Sequence, residues 1–403
     1  MTVANGRALL AIPGPTNIPD RVLQAMIRPA EEIYTGAMVD LTDGLLNDLR
    51  RVFRTKARTY IYAANGHGGW EAAISNVLSR GDKVLVLASG RFAIGWGEMA
   101  RFMGADVEVL EGSWRGSVDP AAVEDRLRRD TQHAIKAVLM VQIDTASGVV
   151  NDVAAVRKAI DAAGHPALYM VDGVASVACM PFEMDAWGVD VAMSASQKGL
   201  MTPPGLAFVA ANDKAHAAHE RAGMKTLYWD WTARQQPPHY MKYCGTPPEH
   251  HLFALRAALD MIFEEGLEAV WRRHALLAQA THAAVGRWAE GQVLGFNVTE
   301  PGQRAASVTP VLVQGVAPTR IAEFTEKVCG VTLGSGIGEL ADKAFRIAHM
   351  GHVNAAMVIG ALGAIETALK ALDIPHGAGG VDAAVAALAA GTGAVQREAA
   401  AAS

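Results

Sequence analysis

Through the first two thirds of the chain, short apolar runs alternate with longer stretches in which apolar positions recur every three or four residues. The runs "TYIYAA" (59–64), "KVLVLAS" (83–89), "DVEVLE" (106–111), "AIKAVLMVQ" (134–142), "ALYMVD" (167–172), "VDVAMSAS" (189–196) and "LAFVAA" (206–211) have the length and β-branched content of strands. Between them, "GGWEAAISNVLSRGD" (68–82), "FAIGWGEMARFMGA" (92–105) and "NDVAAVRKAIDAAG" (151–164) predict helices. The last opens on Asn-Asp and stops on Gly, and the first stops on Arg-Gly-Asp. Alternating strands and helices of these lengths imply a mostly parallel sheet covered on both faces.

After "GTPPEHH" (245–251) the texture changes. Residues 250–290 predict a long helical stretch that links this unit to a smaller one. Beyond it come a strand ("SVTPVLVQ"), a helix ("PTRIAEFTEKVCG"), a strand ("FRIAHMG") and a helix ("AAMVIGALGAIETALKAL"), the pattern of a compact α+β module. The expected division is an N-terminal arm (1–20), a large α/β domain (21–262), a small C-terminal domain (263–375) and an alanine-rich tail (376–403) that forms a short helix frayed at its end.

The chain has 403 residues, 51% hydrophobic and 19% charged, with a net charge of −5. That balance is ordinary for a globular enzyme and excludes the basic stripe of a general nucleic-acid binder. No apolar run reaches the roughly 18–20 residues that span a bilayer. The start, "MTVANGRALLAIPGP", makes a poor signal peptide. Cys179, Cys244 and Cys329 are scattered, with no CxxC pair and no metal-ligand spacing, which suggests reduced thiols in a cytoplasmic protein that needs no metal.

Four features fall at strand ends, where ligands of open α/β sheets gather. "AANGHGGWEAA" (63–73) combines small residues with a helix start, which suits a phosphate or simply makes a tight turn. It is not GxGxxG, and no acid follows where a dinucleotide's ribose would need one, so a nicotinamide-binding fingerprint is missing. Asp172 ends an apolar strand; it is either a helix N-cap or a carboxylate that keeps a heterocyclic nitrogen protonated. Lys198, in "SASQKG", is either a snorkelling lysine or a desolvated amine with a lowered pKa and nucleophilic character. Arg346, inside the apolar "AFRIAHMGH", is either half of a structural ion pair or the holder of an anion. Together they suit a pyridoxal-phosphate enzyme acting on amino acids.

With these residues in view, "PGPTNIP", "GHGGWEAA", "VDGVASV", "SASQKGLMTPPGLAFV", "GTPP" and "FRIAHMG" resemble, in order, the motifs of class V aminotransferases, nearest to the alanine–glyoxylate and serine–glyoxylate branch. The resemblance runs from about residue 10 to about residue 370, and its most specific elements are Ser-Gln-Lys-Gly and the Asp 26 positions before that lysine. It implies the fold type I of pyridoxal-phosphate-dependent transferases, a large domain plus a smaller α+β one. By the same resemblance, Lys198 is the lysine that carries the cofactor as an imine and later moves a proton. Asp172 pairs with the pyridine nitrogen. Gly66 and His67 meet the phosphate and ring, with Asn65 where the family often has Ser or Thr, and Gln197 meets the phosphate. Phe92 supplies the ring stacked over the cofactor, and Thr145 lies in the loop that reaches the ring hydroxyl. Arg346 holds the substrate carboxylate. Tyr243 and Thr246 reach the phosphate of a neighbouring subunit, so a homodimer with shared sites is implied.

The implied reaction is ping-pong transfer of an amino group from alanine, serine or aspartate to glyoxylate or pyruvate. Departures sit in "EIYTG" (32–36), which makes Tyr34 a candidate substrate contact beside the alternative of a packed tyrosine, and in "DTASG" (144–148), where the family has "ETATG"; both bear on the identity of the amino donor. "LASG", "DTASG", "EAVWRRHAL" and "RIAHMG" also look like pyridoxamine–pyruvate aminotransferase, whose phosphate cup is blocked by an acidic side chain; "NGHGG" carries none. Another class V transaminase would keep the fold and the lysine. A desulfurase would need a cysteine in a mobile loop. A non-catalytic α/β binding protein would need no buried lysine.

Overall fold

A computed structural model describes residues 2–402, with side chains described through residue 393; the end of the tail, where fraying is expected, lies largely outside the described side chains. In chain order the strands are β1 (Leu9–Ala11), β2 (Arg58–Ala64), β3 (Lys83–Leu87), β4 (Asp106–Leu110), β5 (Ile135–Val141), β6 (Ile143–Asp144), β7 (Val149–Val150), β8 (Leu168–Asp172), β9 (Val191–Ala195), β10 (Gly205–Ala211), β11 (Leu294–Phe296), β12 (Val308–Val313), β13 (Val331–Ser335) and β14 (Ala344–Ala348).

Seven of them form one sheet in the order β2-β10-β9-β8-β5-β3-β4. Every neighbouring pair is parallel except the two that involve β10. The reason is length: residues 196–204 are too few for a crossover helix, so the chain leaving β9 must turn back beside it. The apolar runs carry no polar alternation because both faces are covered. Leu85, Leu87, Val138, Met140, Tyr169 and Val171 enter one core; their neighbours Val84, Val86, Ala137, Leu139, Leu168 and Met170 enter the other. The helices Ala37–Phe53 and Glu249–Glu265 lie over the first core, and Gly66–Val77 and Arg91–Met103 over the second.

The second sheet runs β1-β13-β14-β12-β11 and is antiparallel except where β1 joins β13. Residues 1–20 therefore do not stand apart: Leu9 pairs with Val331 and makes the edge of the C-terminal sheet. The helices Leu267–Trp288, Pro318–Cys329 and Ala355–Ala371 pack against it in a separate core, which gives the α+β module. The long helical stretch is two helices, Glu249–Glu265 and Leu267–Trp288, because Gly266 takes φ 88°, a left-handed conformation no continuing helix adopts. The tail is helical over Gly380–Ala402. No helix among the described residues is long and apolar enough to cross a membrane.

The pairing of β8 with β9 sets the spacing of the two chemical groups at their ends, and Asp190 fastens it. This buried carboxylate accepts the Tyr169 N–H at 2.8 Å, the Asn212 side-chain amide at 2.9 Å and the Lys214 amine at 3.0 Å. Asp190→Ala leaves the Tyr169 N–H buried without an acceptor, an expected loss of about 1–3 kcal/mol, read as a lowered thermal unfolding midpoint.

Candidate active site

The carboxyl ends of β2, β3, β5, β8 and β9 converge, and the segments that leave them enclose a cavity of about 250 Å³. Asn65, Gly66 and His67 line it from the turn after β2, and Phe92 from the helix after β3. Thr145, Asp172, Gln197 and Lys198 complete the wall from the turn after β6, the end of β8 and the turn after β9. Eight of the twelve residues singled out in the sequence thus meet in one space.

Asp172 is 3% exposed. One carboxylate oxygen accepts the backbone N–H of Val174 and the other the indole N–H of Trp70, each at 2.7 Å. Burial is the largest influence and pushes the acid up to about 6, against the two hydrogen bonds and the nearby Lys198 amine. Lys198 is pushed the other way, down to about 8, first by burial and then by the Arg346 guanidinium. Its amine donates to the carbonyl of Pro13. The segment carrying Pro13 lies directly over the lysine: the Thr16 N–H binds the Gln197 carbonyl at 3.1 Å and the Thr16 hydroxyl binds the Lys198 carbonyl at 3.1 Å. A Cβ on Gly14 would come within 2.6 Å of the amine nitrogen, and Gly14 has φ 106°, so a side chain there is excluded twice over.

A second buried acid, Asp144, organises the Phe92 side of the cavity. One of its oxygens accepts the N–H groups of Phe92 at 2.8 Å and Ala93 at 3.0 Å; the other accepts that of Ala146 at 3.0 Å. It therefore caps the helix Arg91–Met103 and closes the loop that presents Thr145. Burial pushes its carboxyl up and the backbone N–H groups pull it down.

At the helix Gly66–Val77, the Asn65 side chain accepts the Gly68 N–H at 3.2 Å, so Asn65 is an N-cap as well as a lining residue. Among the described residues the N–H groups of Gly66 and His67 have no acceptor, which leaves them to an anion. The Gln197 side-chain oxygen is also buried without a partner. His67 packs edge-on to Trp70 with ring centroids 4.6 Å apart, and burial and Arg91 lower its pKa.

Arg346 approaches from the other sheet. Its guanidinium donates to the carbonyls of Ser335 at 2.7 Å and Thr145 at 3.0 Å, has no carboxylate partner among the described residues, and is pushed down to about 10, mainly by burial. Three candidates lie outside the cavity. Tyr34 is 64% exposed and rests edge-on against Tyr240; Glu32 accepts the Thr35 N–H at 2.8 Å and turns the "EIYTG" segment. Tyr243 is buried, with its hydroxyl 2.8 Å from that of Thr42, and Thr246 is exposed. The sequence reasoning passed over Trp70, Asp144 and the segment 13–16. The signal available was their position inside "GHGGWEAA", "DTASG" and "PGPTNIP".

Residues 9–341 match the family model for class V aminotransferases. The chain is 42% identical over 373 residues to the serine–glyoxylate aminotransferase of Methylorubrum extorquens, covering 90% of this chain and 91% of that protein. It is 37% identical over 368 residues to the L-aspartate–glyoxylate aminotransferase of Paracoccus denitrificans, covering 90% and 91%. Among solved structures, pyridoxamine–pyruvate aminotransferase from Mesorhizobium loti superposes with a TM-score of 0.88 at 27% identity, over 97% of this chain and all of that one.

A Cβ on Gly90 would stand 2.3 Å from the Asp144 carboxyl carbon, which three N–H groups hold in place. Gly90→Ala is expected to cost about 1–3 kcal/mol by overpacking, seen as a lower unfolding midpoint, while Gly81→Ala, with open space at its Cβ but φ 85°, shows backbone strain alone and separates the two causes.

Proposed function

Because the chain belongs to the class V aminotransferases, we propose that it moves an amino group from serine, alanine or aspartate to glyoxylate or pyruvate in a ping-pong cycle. The observation that carries this reading is a desolvated amine and a desolvated carboxylate, Lys198 and Asp172, in one cavity with an unpaired guanidinium, Arg346, beside it.

The residues present fit pyridoxal phosphate. Free N–H groups at Gly66 and His67 suit its phosphate, and each Asp172 oxygen keeps a lone pair for a protonated ring nitrogen. Among the described residues Asp172 is the only carboxylate lining the cavity, and the cup segment 65–69 carries no acid to repel a phosphate; this favours a phosphate-bearing cofactor over the pyridoxamine–pyruvate reaction. Bound there, the cofactor supplies an electron sink for the bonds at the amino acid's α-carbon. Lys198 Nζ, kept partly neutral by burial, serves as the amine that binds the cofactor carbonyl and then takes and returns the α-proton. Asp172 stays ionised opposite the ring nitrogen. Phe92 covers the ring, Gln197 and Thr145 meet its polar edge, and Arg346 orients the donor by its carboxylate.

The chain divides into a large cofactor-binding domain (21–262) and a small C-terminal one (263–375); the break between the two helices at Gly266, close to that boundary, supports the division. It works as a homodimer in which the loop carrying the buried Tyr243 and the exposed Thr246 reaches the phosphate of the neighbouring subunit, while Tyr34 stays a candidate substrate contact; the exposed Tyr34–Tyr240 pair supports a partner face there. The three free cysteines support a cytoplasmic setting.

The purified protein is expected to carry a visible absorption band that serine or alanine bleaches in the absence of an acceptor and glyoxylate restores. Lys198→Ala should abolish turnover and the band; a variant that still transaminates would remove the lysine from the mechanism. The rate at which apo-protein captures pyridoxal phosphate should climb with pH through about 8, because the amine attacks only when it has lost its proton. A flat rate across that region would show that the amine titrates elsewhere.

A further inference from the structure

We propose that Trp70 is a positioning residue, whose indole N–H, donated to Asp172 at 2.7 Å, holds that carboxylate ionised and aimed at the cofactor's ring nitrogen. The proposal rests on the reading of the cavity as a pyridoxal phosphate site.

Among the described residues Asp172 has no cation within ion-pair distance, so two hydrogen bonds are its direct support, ahead of the more distant Lys198 amine. One comes from the Val174 backbone and survives any side-chain change. The other is the only side-chain donor the acid has among the described residues. A charge-assisted bond of that kind, in a site closed to water, counts for more than a neutral one.

The indole is fixed on every side. It is 3% exposed, stacks on Trp96 at 6.1 Å and 14°, and meets His67 and Phe92 edge-on at 4.6 and 6.3 Å. Packing alone does not explain the N–H. Trp96, Trp231 and Trp271 each bury an indole nitrogen without an acceptor, so this fold tolerates orphaned indoles. The one beside the cavity has a carboxylate at good distance. Trp70 also sits on the helix Gly66–Val77, whose first N–H groups face the phosphate position. One helix thus sets both ends of the cofactor: the cup through its first turn and the acid through Trp70.

The charged groups facing Asp172 are Asp144, which opposes its ionisation, and Lys198, which favours it; His67 lies against the indole. Without the indole N–H, the balance moves toward the protonated acid, and cofactor binding must then expel that proton.

Trp70→Phe keeps an aromatic ring and removes the donor. Apo-protein carrying it is expected to bind pyridoxal phosphate about tenfold more weakly than wild type near neutral pH, the change expected of one charge-assisted hydrogen bond. The deficit should shrink as pH rises and the carboxylate ionises unaided. In an Asp172→Asn background the same substitution should change affinity by less than about twofold, since no carboxylate remains to be held. A deficit of constant size at every pH, or an equal loss in both backgrounds, overturns the proposal and leaves Trp70 as packing. Should Trp70→Phe not fold, wild-type apo-protein labelled with 15N-tryptophan supplies a second measurement. One indole N–H resonance should shift as Asp172 titrates and vanish from that titration in Asp172→Asn; eight pH-independent resonances would refute the bond. Wild-type apo-protein that fails to bind pyridoxal phosphate at all defeats the functional reading instead, and the resonance experiment still tests the bond.

Discussion

Removing water from an acid and an amine that share one cavity pushes the two toward each other in pKa. Asp172 rises to about 6 and Lys198 falls to about 8, and burial is the largest cause of both shifts. Each charge partly offsets the other's loss of solvent. The result is a carboxylate that is still ionised near neutrality and an amine that has a usable neutral fraction there. Neither group would behave so on an exposed strand end. The rest of the site is a means of keeping these two groups close, dry and correctly oriented.

Closeness comes from the parallel sheet. β8 and β9 are adjacent and parallel, so their carboxyl ends release Asp172 and the turn to Lys198 on the same side. Dryness comes from elsewhere in the chain. The segment 13–16 continues from β1, an edge strand of the other sheet, and lays Pro13 and Gly14 over the amine. Orientation on the far wall depends on Asp144, whose three backbone acceptor contacts fix both Phe92 and the Thr145 loop. That role explains why Gly stands at position 90: the Asp144 carboxyl fills the volume a Cβ would need. It also gives the acid of "DTASG" a structural purpose distinct from contact with substrate.

What could be read from the sequence follows the range of the interactions involved. The large-sheet strands are legible because each is a continuous apolar run buried on two faces, a property of consecutive residues. β1 is not: three residues become a strand only by pairing with Val331–Leu333, more than three hundred positions away. The stretch 250–290 reads as one helix because a glycine inside a helical pattern costs only about 1 kcal/mol, and nothing local reveals that Gly266 adopts positive φ. Lys198 and Asp172 are conspicuous as charges at the ends of apolar strands, though alone each also suits a snorkelling amine or a helix cap. Trp70 and Asp144 escaped notice for the opposite reason. A tryptophan on an amphipathic helix looks like core, and an acid before a turn looks like a cap. Their value lies in bonds to Asp172 and to the helix at 91, which only the folded chain brings within reach.

Arg346 ties the two sheets into one electrostatic unit. It stands on β14 but donates to the Thr145 carbonyl, and after burial it is the strongest influence lowering the Lys198 amine. Its partners are carbonyl oxygens, so its positive charge is solvated but not cancelled. While that charge is uncompensated, it repels a proton from Lys198 and keeps the amine nucleophilic. In the proposed reading, a substrate carboxylate paired with the guanidinium would remove that repulsion and make the amine more basic. The two demands on Lys198, attack on a carbonyl first and acceptance of an α-proton afterwards, call for the lower and the higher basicity in that order. If Arg346 anchors the donor as proposed, its field alone would carry the lysine from the first demand to the second.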